Sequence, residues 1–66
     1  MGYRVKEVRE KKGMTQEELA AASGVSRGTI VAIESGEAKD VLLSTLLKLA
    51  DAMGVSVNEI FFSRGV

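Results

Sequence analysis

The residues of this chain that could do chemistry are nine Asp and Glu, nine Lys and Arg, and hydroxyls scattered between them. There is no His and no Cys. Those two absences remove the commonest general base, the commonest transition-metal ligands and the thiol nucleophile. The Ser, Thr and carboxylate residues stand without a base to activate them, so no catalytic set can be assembled. Neither a metal cluster nor a phosphate-cradling glycine loop is present, and the core has no disulfide to reinforce it. No catalytic residue, metal or cofactor is expected. What remains is recognition by charged and hydrogen-bonding side chains held on a folded surface.

The elements that must hold them fit in one small domain. At 66 residues, 45% hydrophobic and 27% charged, the chain has the composition of an ordered globular protein with a modest core, and two domains are excluded. The opening MGYRVKEVRE alternates charge with apolar residues and lacks the apolar centre of a signal peptide, and no later run is long enough to span a membrane. A cytoplasmic protein is the expectation. The net charge is zero and the pI about 6.2, which argues against a sequence-blind, strongly basic nucleic-acid binder. Any contact with nucleic acid must come from a local patch.

Gly13, Gly24, Gly36 and Gly54 each follow a stretch of helical periodicity, as expected where a helix closes on a residue of positive φ. The spacing predicts five short helices. The first covers Tyr3 to Lys12, with Val5 and Val8 inward and Arg9 beside that stripe. The second starts at Thr15, where Thr15 and Glu18 make the pattern of a capping box, and buries Leu19 and Ala20 before Gly24. The third takes Ser26 as its N-cap and runs to about Ser35, with Ile30 and Ile33 inward and Val25 plugging the same core. The fourth spans Leu43 to Met53, its stripe being Leu46, Leu49, Ala50 and Met53. The fifth opens at Ser56, with Glu59 as a second capping box and Val57, Ile60 and Phe61 as its apolar side. The least regular piece is GEAKDVLLS, Gly36 to Ser44.

Two short helices joined by a glycine turn make a helix-turn-helix. Ala20 is small where the helices cross, Gly24 supplies the turn, and Ile30 and Ile33 supply the branched packing. The segment TQEELAAASGVSRGTIVAIESG resembles the helix-turn-helix of the lambda-repressor-like, Cro/cI or xenobiotic-response-element family of bacterial and phage regulators. VREKKGMTQ before it and STLLKLADAMGVSVNEIF after it are similar to the family's first, fourth and fifth helices. The resemblance therefore covers nearly the whole chain, far more than a lone motif.

It implies an all-α, five-helix domain acting as a homodimeric, sequence-specific transcriptional regulator of double-stranded DNA, a repressor bound to a two-fold symmetric operator. Arg27, Gly28, Thr29 and Ala32 fall at positions that face the major groove in the family. Gln16, Ser26 and Lys39 would meet phosphates, and Arg9 and Glu34 match a partly buried ion pair joining the first helix to the end of the third. The groove-facing set departs from the family's usual long polar row. Arg27 alone can grip a guanine bidentately, Thr29 can reach a phosphate or base edge, and Ala32 offers a small apolar contact to a thymine methyl. A dimer would double these contacts; the tail residues Ile60, Phe62 and Val66 are its expected surface, with Phe61 in the core. No membrane and no small-molecule ligand is implied. The alternative from another class is a protein-interaction module or antitoxin-like adaptor that keeps the scaffold with weak or no base reading.

Overall fold

The computed structural model describes residues 3–61, which form five helices: α1 Val5–Lys11, α2 Gln16–Ser23, α3 Arg27–Ser35, α4 Leu43–Met53 and α5 Asn58–Phe61. No strand occurs among the described residues. The start of α2 is fixed by its own sequence. The Glu18 N–H donates to Thr15 Oγ1 at 3.0 Å and the Thr15 N–H donates to Glu18 Oε1 at 2.9 Å, so two donors that a helix start leaves orphaned are satisfied reciprocally. Gly24 closes α2 at φ 78° and Gly36 closes α3 at φ 87°, a left-handed turn that a residue with a Cβ adopts only at a cost.

The core is shared by every element. Val5, Leu19, Ile30, Leu49 and Ile60 are fully buried, and Val8, Val25, Ile33, Leu46, Ala50 and Met53 nearly so. Helix α2 packs on both α3 and α4, while α1 crosses α3, α4 and α5. The α4 stripe Leu46, Leu49, Ala50 and Met53 lies wholly inward. Ala20, expected inside, is half-buried where it packs against this core.

Both ends of the described chain differ from the sequence-based expectation. Helix α1 begins at Val5 rather than Tyr3, because the Arg4 N–H donates to the Ile60 carbonyl at 2.9 Å and ties the chain's start to α5. Helix α5 begins at Asn58 rather than Ser56. Its box is half-formed: the Ser56 N–H donates to Glu59 Oε2 at 3.4 Å, but the return bond runs from the Glu59 N–H to the Ser56 carbonyl, not its hydroxyl. In this single turn the apolar order is inverted. Ile60, expected at a dimer surface, is fully buried, and Phe61, expected in the core, is 39% exposed, its ring tilted against Tyr3 at 6.1 Å. Phe62 and Val66 lie outside the described residues.

With Leu49 at the centre of this core and at 0% exposure, Leu49→Ala should cost about 2–5 kcal/mol of stability through lost burial and the cavity left behind. Urea denaturation followed by circular dichroism measures it; a cost well under 1 kcal/mol would show that the helices re-close over the gap.

Candidate nucleic-acid interface

Helix α3 is held by one face and free on the other. Ile30 and Ile33 anchor it, and Val25 plugs the turn before it. Arg27, Gly28 and Thr29 are exposed on its first turn, and Ala32 is half-buried. The first turn contains no acidic residue, so the positive end of the helix dipole is uncompensated and Arg27 adds to it. Arg27 has no ion pair or side-chain hydrogen bond among the described residues. A guanidinium placed there is unfavourable for the helix itself and is available to a partner carrying acceptors.

The cap of α3 organises two hydroxyls. Ser26 Oγ accepts from the Thr29 N–H at 3.2 Å and donates to Thr29 Oγ1 at 2.9 Å. Ser26 therefore spends its proton inside the cap, and the proton of Thr29 is the one left to donate outward. Gly28 has no such internal reason. Its φ is not positive, and a Cβ built on it meets nothing within 4 Å.

Behind α3, three helices meet on one carboxylate. Arg9 Nε donates to Glu34 Oε2 at 2.8 Å and Arg9 Nη2 to Glu34 Oε1 at 3.1 Å, a bidentate pair whose side chains are only 10% and 5% exposed. Arg9 Nη1 donates to the Met14 carbonyl at 2.7 Å. Gln16 Nε2 also donates to Glu34 Oε1, at 2.9 Å. The hydrogen bond to Glu34 holds the Arg9 pKa above its ordinary value against the opposing effect of burial. The sequence pointed to Arg9 with Glu34 but missed Gln16 as third member; with Gln16 and Glu34 standing 18 positions apart, no local pattern signals that contact. In front of the triad lies an open groove of about 370 Å³ lined by Lys6, Arg9, Gln16, Val31, Glu34 and Ser35.

Lys39 is exposed in the loop after α3, between the equally exposed Glu37 and Asp40. The structure thus brings Arg27, Gly28, Thr29 and Ser26 together at the start of α3, sets Gln16 beside the groove, and leaves Lys39 on the loop beyond the helix. Among the described residues there is no group of His, Cys, Asp and Glu able to hold a metal, and no helix long and apolar enough to cross a membrane.

Comparison with known proteins places the same segment in a wider set. Residues 5–60 match the family model described as helix-turn-helix. An uncharacterised HTH-type transcriptional regulator of Methanocaldococcus jannaschii, MJ0272, is 43% identical over 61 residues, covering 92% of this chain and 91% of that protein. An uncharacterised HTH-type transcriptional regulator of Bacillus subtilis, YgzD, is 37% identical over 62 residues, covering 94% and 92%. Among solved structures, the restriction-modification controller protein C.AhdI of Aeromonas hydrophila superposes with a TM-score of 0.79 at 39% identity, covering 85% of this chain and 83% of that one. A chain of the SinR–SinI complex also superposes at a TM-score of 0.79, with 31% identity over 83% of this chain and 53% of that one.

Two outcomes are expected from this geometry. Gly28→Ala should stabilise the protein by roughly 0.5–1 kcal/mol, since alanine fits a helical position with open space around it; a lower denaturation midpoint would show that the backbone there is not helical in solution. The pH dependence follows from signs. Arg9 titrates above its ordinary value, so its stabilising pair is complete below that value and is lost only in strong alkali. Glu7, hydrogen-bonded by Arg4, is held below the ordinary 4.5, so its contribution is present above that value and disappears as pH falls through the lowered one. With no His or Cys, the melting temperature should stay flat between about pH 6 and pH 9 and decline below about pH 4; calorimetry from about pH 3 to pH 9 checks it.

Proposed function

This chain belongs to the Cro/cI-type helix-turn-helix family of transcriptional regulators, a non-enzymatic family, and from that premise we propose that it is a sequence-specific reader of double-stranded DNA acting as a homodimeric repressor in the cytoplasm. The observation that carries the reading is Arg27: exposed, without an ion pair among the described residues, and mounted on the free face of a helix whose other face is locked by Ile30 and Ile33. In this reading α3 enters the major groove by its first turn. Arg27 grips a guanine through O6 and N7, the Thr29 hydroxyl donates to a base acceptor or a phosphate, and Ala32 touches a thymine methyl. Gly28 lets the DNA come close to the helix. Gln16, the Ser26 end of α3 and Lys39 meet phosphates.

One guanidinium is a thin basis for choosing a site, which favours two copies on a two-fold operator with half-sites about 34 Å apart. The buried Ile60 cannot supply their contact. Leu42, Leu43 and Leu47, at 70%, 59% and 49% exposure, are the apolar surface that the start of α4 offers to a second copy.

A second reading has its own observations. The chain is neutral overall, and a chain superposing closely on it was solved as a complex of SinR with another protein, SinI. On that reading the exposed leucines meet a different protein and base reading is weak or absent.

Selection of bound duplexes from a random DNA pool at low salt separates the two. A repressor enriches a two-fold symmetric site, whereas a folded protein that enriches nothing is an interaction module. On the enriched site, Arg27→Ala should weaken binding by more than about tenfold without lowering the melting temperature, since a cation at a helix start is unfavourable for the helix; undiminished affinity would remove Arg27 from base reading.

A further inference from the structure

The free side of α3 carries an apolar residue that the fold does not ask for. Val31 follows Arg27 by four positions and Gly28 by three, so the helical repeat sets all three, with Ser35, on the side turned away from Ile30 and Ile33. It is 39% exposed. A β-branched residue is a weaker helix former than alanine, and one standing in water adds little to the core. The polar groups beside it are already committed. Arg9 and Gln16 donate to Glu34, while Ser35 Oγ donates to the Ala32 carbonyl at 3.2 Å and accepts from the Glu37 N–H at 3.4 Å. Beyond Arg27, what the middle of this helix offers a partner is the pair of methyl groups on Val31. Gly28, one turn earlier, leaves the approach to them open, since even a Cβ there would meet nothing within 4 Å.

Among the base edges of a major groove, the apolar group is the C5-methyl of thymine, and 5-methylcytosine carries the same methyl at the same place. Resting on the reading of α3 as a major-groove helix, we infer that Val31 is a specificity-determining residue that reads the C5-methyl of a pyrimidine, across the gap left by the missing side chain of Gly28. Ala32 is half-buried and brings one methyl, so Val31 is the larger apolar surface on that side. The half-site then combines two kinds of contact on neighbouring turns of one helix: hydrogen bonds from Arg27 to a guanine, and methyl packing by Val31 on a nearby pyrimidine. The second adds discrimination without adding charge, which suits a chain whose net charge is zero.

The test uses the full chain and the duplex enriched by selection, with affinity read by fluorescence anisotropy. Each thymine of the half-site is replaced in turn by deoxyuridine, which removes the methyl and keeps every hydrogen-bonding group of the base. Every duplex is measured with the native chain and with Val31→Ala. At one thymine the loss of the methyl should weaken binding by the native chain about fourfold per half-site and binding by Val31→Ala hardly at all, because the variant has already given up the contact. Cytosine and 5-methylcytosine at that position, each opposite guanine, separate the two sources of the methyl. A gain on methylation that Val31→Ala abolishes shows the methyl read on either base, and no gain confines the contact to thymine. Methyl losses equal in the two chains give the contact to Ala32 and overturn the inference, as does a half-site in which no methyl matters, while DNA binding stands in both cases. Val31→Ala should melt no lower than the native chain, alanine being the better helix former. A lower melting temperature with an unaltered methyl dependence makes Val31 a shield of the Arg9–Glu34 pair and overturns the inference. A folded native chain that enriches no duplex overturns the major-groove reading of α3, and the role of Val31 with it.

Discussion

The carboxylate of Glu34 is the point on which the orientation of the helices depends. Apolar burial alone is non-directional, and a core of Val, Ile and Leu in a chain of this size would tolerate several helix crossings. Glu34 removes that freedom. It takes both nitrogens of one edge of Arg9 from α1 and the carboxamide of Gln16 from α2 while itself belonging to α3, and Arg9 reaches on to the Met14 carbonyl in the connection between the first two helices. No buried side-chain polar atom among the described residues is left without a partner. A buried ion pair is weak evidence for stability, because desolvation offsets most of the attraction. Its worth here is geometric: it fixes α3 against α1 and α2 in one arrangement, and with it the direction of the free face of α3.

That free face carries a tension of its own. A helix start favours anions, yet α3 begins with Arg27 and follows it with Gly28, a residue costing about 1 kcal/mol relative to alanine in a helix. Neither choice serves the isolated domain. No positive φ and no close neighbour explains the glycine, and no partner explains the arginine among the described residues. Where local rules are broken without an internal compensation, the compensation lies outside the molecule. Ser26 shows the opposite logic on the same turn: its hydroxyl is committed twice to Thr29, so the turn is rigid while the side chains beside it stay free.

Much of this was legible in the sequence because it is local. Thr15 with Glu18, Ser26 as a cap and the inward stripe of α4 each follow from spacings of three or four residues, the range over which a helix communicates with itself. What was not legible is what crosses the chain. Ile60 and Phe61 are adjacent apolar residues on a helix of four residues, too short for periodicity to say which faces inward. The choice is made by the Arg4 N–H, which binds the Ile60 carbonyl from the far end of the chain. Gln16 is legible as a helix-start residue but not as a ligand of Glu34, since that contact exists only once α2 and α3 have crossed.

The zero net charge of the chain is a sum that hides its distribution. A carboxylate already held in a cap or an ion pair opposes an incoming anion differently from a free one, and here several are held: Glu7 by Arg4, Glu34 by Arg9 and Gln16, and Glu18 by the backbone of its own cap. The cations left unpaired among the described residues include Lys6, Arg27 and Lys39. Two of these stand where the structure opens a groove beside α3 or presents its first turn, and the third lies in the loop that follows that helix. Screening at physiological salt confines each charge to within about 8 Å, so a partner approaching α3 meets this local set and not the total. A neutral protein can therefore present a positive reading face, with affinity set by a few placed charges and with little of the non-specific attraction that a basic surface brings to every stretch of DNA.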